Sequence, residues 1–216
     1  MRVIIIKLSV ILICLSSSTV NASFIDFESI SGITGMTNIP GSAVPLASQL
    51  SNQLQSSTGA TFSSDSLYVA VVNLGTGTTS PSLGIGGVNT AGQLNYGVPI
   101  VVTFTDPNDA LIPATTDYVS IRGDTVPASG SATLEAFDVN GALLGSTSAN
   151  DIAGGLTLTL SIAGIHSIRL SETVADIAFD DLTFNDVAPI PLPAAIWLFG
   201  SGLLGLIGIA RRRKAA

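Results

Sequence analysis

Cysteine, histidine and positive charge are all scarce in this 216-residue chain. Its single cysteine, Cys14, lies near the N-terminus, and its single histidine is His166. Beyond Cys14 the chain therefore has no thiol for a disulfide bond or for nucleophilic catalysis. One histidine also disfavours a zinc site, which needs three or four ligands. Stability must come from core packing, with or without a bound metal.

The few positive charges are distributed unevenly. Eight lysines and arginines stand against fifteen aspartates and glutamates. All fifteen acids lie from Asp26 to Asp186, where the only basic residues are Arg122 and Arg169, so this region has a net charge of −13. A surface of that sign repels nucleic acid and anionic lipid and attracts cations. The charge pattern argues against nucleic-acid binding.

The N-terminus has the pattern of a secretory signal peptide. Arg2 and Lys7 accompany an apolar run over residues 8–15, and the polar stretch after it ends in Val20-Asn21-Ala22. Small side chains at residues 20 and 22 suit signal peptidase, which predicts cleavage after Ala22 and a signal peptide of residues 1–22. The apolar run is too short to span a bilayer, which needs about 20 residues.

Cys14 offers an alternative interpretation, a lipoprotein signal acylated at that cysteine. The lipoprotein peptidase requires a glycine or alanine immediately before the cysteine, where this chain has the bulky Ile13. The secretory signal peptide is therefore preferred.

Residues 188–216 combine three features in a fixed order. Two prolines flanking one residue hold the chain extended, and an uncharged apolar segment follows over residues 194–210. Its length is at the short end of the transmembrane range of about 17–25 residues, which predicts one C-terminal transmembrane helix. The basic cluster after it should be cytoplasmic, with Trp197 near the outer interface. The extended residues are Ile190, Pro191, Leu192, Pro193 and Ala194, and the basic ones are Arg211, Arg212, Arg213 and Lys214.

This tail resembles the PEP-CTERM sorting signal, specifically its VPLPA subtype, with Ile190 in place of the usual valine. The resemblance implies recognition by an exosortase-type membrane peptidase, with cleavage near Pro193-Ala194. It implies an inner-membrane-anchored intermediate, then a protein of the cell surface or extracellular matrix of a Gram-negative bacterium that makes extracellular polysaccharide or biofilm. The motif makes the chain a substrate of the sorting system and not an enzyme.

Residues 23–187 are predicted to form one acidic, all-β outer domain with a jelly-roll-like β-sandwich fold. Runs rich in Val, Ile, Thr and Phe alternate with turn residues, and predicted helix is limited to residues 44–55, where leucines recur every four positions. Asn140-Gly141 predicts a type I′ hairpin turn, and residues 76–92 a mobile loop. The predicted strands are residues 24–28, 67–73, 99–105, 118–122, 132–139, 142–148, 156–161, 165–172 and 177–185.

Two pairs of acids lie in the first and last predicted strands: Asp26 and Glu28, and Asp180 and Asp181. Jelly rolls place these strands side by side, so the four carboxylates could form a structural calcium site, because calcium accepts 6–8 oxygen ligands. The sequences around them resemble the beginning and end of MAM-type and carbohydrate-binding jelly rolls. The alternative is that the acids are solvated charges that prevent edge-to-edge pairing.

Three functional hypotheses remain. A non-enzymatic surface or matrix protein, structural or adhesive in polysaccharide or biofilm, is favoured. A calcium-dependent carbohydrate-binding module is the alternative, with Tyr68, Tyr96 and Tyr118 as candidate sugar platforms. A hydrolase that uses two acids is the third. His166 is interpreted as a surface residue of a predicted strand rather than as a catalytic base or a metal ligand.

Overall fold

The computed structural model describes residues 21–65, 67–75, 82–124, 130–150, 155–173 and 177–190. The predicted signal peptide up to residue 20 and the predicted tail from Pro191 onwards lie outside them. The transmembrane helix and the basic cluster therefore stay predictions. Within the described residues, no helix has the length and apolar character that crossing a membrane requires.

The described chain is all-β, as predicted. Helical structure within it is limited to a 3₁₀ turn (Leu46–Ser48) and one short helix, α1 (Gln55–Thr58). The strands are β1 (Ala22–Ile25), β2 (Met36–Thr37), β3 (Gln49–Leu50), β4 (Ala60–Ser64), β5 (Val69–Asn73), β6 (Leu83–Gly86), β7 (Ile100–Asp106), β8 (Asp109–Asp124), β9 (Ser131–Phe137), β10 (Leu143–Asn150), β11 (Leu156–Ile165), β12 (Ser167–Glu172), β13 (Ala178–Asn185) and β14 (Ala188–Pro189).

The burial of side chains follows the strand period. In β9 every second residue is buried, and β7 begins with the same alternation, because successive side chains of a strand point to opposite faces. β5 differs, with four consecutive buried residues, because it is covered on both faces.

The strands form one continuous sheet that folds into two layers. The first layer has the order β10-β9-β12-β7-β4, with antiparallel neighbours throughout. In the second layer β8 lies between β11 and β13, and β13 pairs in addition with β1 and with β6. The β7–β8 pairing connects the two layers.

The main core lies between the layers. Phe104 of β7 meets Phe184 of β13 with ring centroids 4.9 Å apart, and Phe62 of β4 meets Phe27 edge-on at 5.8 Å. All four rings are almost fully buried. Such a pair adds about 0.5–1.5 kcal/mol beyond the burial of its area. Apolar packing between the layers is the source of stability that a chain without disulfides requires.

A smaller core covers the outer face of β5. Ala70 and Val72 pack there with Met36 and Tyr96. The Tyr96 ring packs in this core, and its hydroxyl donates a hydrogen bond to the Asn38 Oδ1 atom at 2.9 Å. β5 is therefore an internal strand of the domain rather than an edge.

Two sequence predictions of local structure were wrong. Residues 44–55 do not form a helix, because Leu46 is exposed while Leu50 is fully buried in β3, so that leucines four apart do not share one face. Residues 83–86 form β6 although a mobile loop was predicted there, because Ile85 is buried in the main core and pairs with Val71. Residues 76–81 of that predicted loop lie outside the described residues.

The β9–β10 hairpin turns where Asn140-Gly141 predicts it, but with a different turn type. A type I′ turn needs left-handed backbone at both central residues, and only Gly141 has it, with φ +79°. The Gly141 amide donates to the Asp138 carbonyl oxygen, which closes a three-residue loop that ends in a left-handed glycine. The Asp138 Oδ1 atom selects this turn, since it accepts from the amides of Asn140 and Ala142 at 2.8 Å each.

We expect Asp138→Ala to lower the melting temperature, because two turn amides lose their acceptor, whereas Asp138→Asn keeps an acceptor oxygen and should lose less. The hydrogen bond from the Ala142 amide is the main cause that holds the pKa of Asp138 below its ordinary 3.8. A lowered folded pKa contributes stability above pH 3.8, and this is lost as the pH falls through the folded value. The melting difference between wild type and Asp138→Ala should therefore shrink in acid. Equal melting temperatures at pH 7 would contradict this role.

Candidate functional site

The first and last long strands lie side by side, as the sequence predicts. β1 pairs antiparallel with β13, with Ala22 opposite Asn185 and Ile25 opposite Leu182. This pairing brings both acidic pairs to one region of the second layer. The calcium hypothesis then depends on where the individual carboxylates are directed.

Asp26 and Glu28 follow directly after β1, and both accept hydrogen bonds from backbone amides. The Asp26 Oδ1 atom accepts from the Glu28 amide at 3.1 Å. The Glu28 Oε1 atom accepts from the amides of Ser82 and Leu83, at 2.8 and 2.5 Å. Glu28 therefore fastens the beginning of β6 to the end of β1, across more than fifty residues of sequence.

Asp180 and Asp181 lie at an irregularity in β13. The register with β8 shifts between Asp180, opposite Arg122, and Thr183, opposite Ser120, which is a β-bulge. Asp181 has a φ of 51°, in the left-handed region that aspartate enters more readily than most residues. The buried Asp180 accepts from the Asp181 amide at 2.7 Å through Oδ1. This acidic pair therefore shapes the bulge.

The described residues contain no group of three or more histidine, cysteine, aspartate and glutamate side chains placed to hold a metal ion. The expected convergence of Asp26, Glu28, Asp180 and Asp181 into one such group is therefore not found. The structure gives at least one oxygen of Asp26, Glu28 and Asp180 a backbone partner instead.

His166 lies between β11 and β12, and its Nδ1 atom is 2.9 Å from the Ala114 carbonyl oxygen. A carbonyl only accepts, so Nδ1 carries the proton and donates it. The His166 amide and carbonyl bond to Phe137 and Phe104. These bonds give His166 a structural role in connecting the two layers.

Shallow clefts flank the C-terminal strand β14. One of about 370 Å³ is lined by Ser23, Asp106 and Asp186 among others, and one of about 320 Å³ is lined by residues that include Asp117 and Asp186. Neither cleft has an aromatic or histidine residue in its lining. The two clefts therefore lack the flat apolar platform on which sugars stack.

Both ends of the described chain leave the domain at the same place. The Asn21 carbonyl oxygen accepts from the Asp186 amide at 2.9 Å. β14 pairs with β8, and the Ile190 amide then donates to the Pro113 carbonyl oxygen at 3.0 Å. The domain thus holds the chain up to Ile190, the first residue of the predicted sorting motif. Ala188–Pro189 carries no strand pattern, so this contact could not be predicted from the sequence.

We call this region the terminal end of the domain. The register of the first layer places the β7–β8 turn and the β9–β10 turn there as well, because Ser167 at the start of β12 lies opposite both Thr103 and Phe137. The opposite end carries the start of β7 and the beginning of β13. Residues 21 and 190, the two ends of the described chain, therefore lie at the same end as these two turns.

We expect Glu28→Ala to lower the free energy of unfolding by about 2 kcal/mol, because a hydrogen bond to a charged acceptor contributes about 1.5–3 kcal/mol. Glu28→Gln keeps an Oε1 acceptor and should lose less. The matched control is Glu135→Ala, which removes a surface ion pair with Arg169 at 3.2 Å and should cost at most about 1 kcal/mol. Urea unfolding of the three variants measures this order, and equal losses for Glu28→Ala and Glu135→Ala would contradict it.

Comparison with known proteins confirms the sorting motif. Residues 189–214 match the family model of the PEP-CTERM protein-sorting motif. The match begins at Pro189 in β14 and covers the predicted extended motif, the apolar segment and the basic cluster up to Lys214. No curated protein matches the chain.

Several solved structures share weak similarity with the domain. They include the enzymatically active domain of tailspike protein 4 from bacteriophage CBA120, with 16% identity and a TM-score of 0.32, over 64% of this chain and 20% of that one. A xylan-binding domain from carbohydrate-binding module family 22 has 12% identity and a TM-score of 0.34, over 68% of this chain and 100% of that one. A non-crystalline-cellulose-specific module, CBM28, has 13% identity and a TM-score of 0.29, over 74% and 100%. At these values the similarities assign neither a ligand nor a reaction to this chain.

Proposed function

We propose that this chain, which carries a PEP-CTERM sorting motif, is a precursor that an exosortase-type membrane peptidase sorts to the cell surface or extracellular matrix of a Gram-negative bacterium. Its outer domain has a structural or adhesive role and is not an enzyme. The observation that carries the proposal is the motif match over residues 189–214.

The order of features in the tail supports an anchored intermediate. The extended Ile190–Ala194 stretch precedes the apolar segment 194–210, and the basic cluster follows it. A basic cluster at the inner side holds a spanning helix in the orientation that leaves the domain outside. In this proposal the apolar segment is a transmembrane helix until the peptidase cuts near Pro193-Ala194.

The fold and charge of the domain fit an extracellular structural role. The two layers, whose long strands pair antiparallel and in which the first and last long strands are adjacent, support a jelly-roll-like β-sandwich. The net charge of −13 over the acidic region keeps such a domain soluble and repels polyanions. This favours a neutral polysaccharide of the matrix as partner over an anionic one.

Carbohydrate binding by the domain is a second candidate, and one observation favours it. Phe24 of the edge strand β1 is 60% exposed, and an exposed aromatic face is a surface on which a sugar ring stacks. Tyr96 is buried and is removed from the candidate platforms. A glycan array with wild type and Phe24→Ala tests this candidate, with Leu46→Ala as control for the loss of an exposed apolar side chain.

Replacing Pro191 and Pro193 with alanine should leave the precursor unprocessed in the membrane, because the peptidase reads an extended segment and alanine allows the helix to continue through it. Mass spectrometry of the membrane and extracellular fractions locates the C-terminus of each form. The control is Pro40→Ala, at an exposed proline outside the tail and outside both terminal-end hairpins, which should be processed like wild type. The sorting proposal is wrong if a chain that lacks residues 194–216 is retained on the cell as the full chain is.

Structural calcium at Asp26, Glu28, Asp180 and Asp181 is a hypothesis with a direct test. A ligand that binds only the native state raises stability by about 2.7 kcal/mol at about 100 times its dissociation constant. Calcium binding therefore predicts a melting temperature that is higher in millimolar calcium than in chelator, and no such difference in a variant with Asp180→Asn and Glu28→Gln. An unchanged melting temperature in wild type would leave the backbone hydrogen bonds as the role of these residues.

A further inference from the structure

Two hairpins at the terminal end expose apolar side chains to solvent. Leu111 is 90% exposed and Ile112 is 38% exposed in the β7–β8 hairpin, and Val139 and Leu143 are 43% and 56% exposed in the β9–β10 hairpin. Half of the large apolar side chains that the described residues expose are therefore at this one end.

The backbone of the β7–β8 hairpin directs its apolar residues outwards. Asp106 lies opposite Asp109, whereas Thr105 lies opposite Pro113, so three residues from Ala110 to Ile112 have no partner in β7. Leu111 lies in the middle of this unpaired stretch and contributes little to the core. Together with the exposed residues of the neighbouring hairpin it forms an apolar surface of the kind that marks an interaction site.

The chain length beyond Ile190 fixes how far this end can be from the apolar tail. Four residue steps separate Ile190 from Ala194, where the apolar segment begins. A fully extended chain spans at most about 3.6 Å per residue, so the separation is about 14 Å or less. The polar region on each side of a bilayer is about 5–8 Å thick. With the tail inserted, the terminal end has to lie at the membrane surface.

Leu111 is close to the point where the tail leaves the domain. The Ile190 amide is bonded to Pro113, two residues after Leu111 in the same hairpin. The tip of this hairpin is therefore nearer to the bilayer than most of the domain.

We propose that, while the precursor is anchored, the terminal end docks on the membrane surface, with the Leu111–Ile112 tip and the Val139–Leu143 hairpin in contact with zwitterionic lipid. This inference rests on the proposed insertion of the tail. Docking holds the sorting motif at the bilayer surface, where a membrane peptidase can reach it.

The charges at the terminal end determine which lipid headgroups it can contact. Asp106, Asp109 and Asp138 flank the two tips, and Asp117 and Asp186 lie at the same end. The lowered pKa of Asp138 keeps that group ionised at neutral pH. Carboxylates repel anionic headgroups, so contact should be strongest on a zwitterionic surface and weaker when anionic lipid is added.

The test uses the precursor from Ser23 to Ala216, the form that remains after the predicted cleavage at Ala22, in phosphatidylcholine vesicles. This form contains no cysteine, so each variant carries one introduced cysteine for an environment-sensitive fluorophore. Leu111→Cys and Val139→Cys report on the two hairpins. Leu46→Cys is the matched control, since Leu46 is 83% exposed. Leu46 lies just before β3. β3 pairs with β5, β5 pairs with β6, and β6 pairs with β13 at Phe179, which is near the beginning of β13 and therefore away from the terminal end.

Lipids with a spin label on the headgroup should quench the fluorophore severalfold more at residues 111 and 139 than at residue 46. Leu111→Asp should reduce quenching at residue 139, and Leu46→Asp should not. Replacing part of the phosphatidylcholine with phosphatidylglycerol should reduce quenching at both hairpins. An increase in quenching on addition of phosphatidylglycerol would overturn the assignment to zwitterionic lipid.

Flotation of the same vesicles separates the two proposals. A precursor that floats with the vesicles but is quenched equally at all three positions retains its anchor and overturns docking alone. A precursor that does not float overturns both the anchored intermediate and the docking.

Discussion

Strand β8 is the element on which the rest of the structure depends. Its beginning pairs with β7 of the first layer, and its continuation pairs with β11 and β13 of the second. The same strand receives β14, so it also holds the chain that leads to the sorting motif. Val119 and Ile121 of β8 are fully buried in the main core between the layers. β8 therefore both joins the two layers and positions the chain that leads to the sorting motif.

The strands were predictable where the sequence repeats with a period of two and forms a long pairing. All nine predicted strands are present, with ends shifted by a few residues, and β8 is much longer than predicted. Five strands were missed. β2, β3 and β14 have two residues each and take their conformation from a neighbour, whereas β4 and β6 have five and four residues. For Leu46 and Leu50 the sequence pattern predicted a helix that does not form. Their helical spacing is a local pattern, and the pairing of β3 with β5 overrode it.

The sorting motif was predictable because its signal is contiguous in sequence and needs no partner. The roles of the carboxylates were not predictable. Glu28 binds backbone amides more than fifty residues away, and no side-chain pattern indicates such partners. The adjacency of β1 and β13 was predicted correctly from the jelly-roll resemblance. The bulge at Asp181 and the meeting of residues 21 and 190 at one end of the domain depend on the strand register, which a single sequence does not determine.

In the anchored form that we propose, the two-residue strand β14 is the weakest connection between the tail and the rest of the domain. Any mechanical load on the tail, from shear at the cell surface or from a partner that holds the domain, reaches β14 before it reaches β13. β14 pairs with β8 at only two residues, so this pairing separates first and lets the chain extend while the buried β8–β13 pairing stays intact. In that proposed form the core is therefore protected from forces that act through the tail.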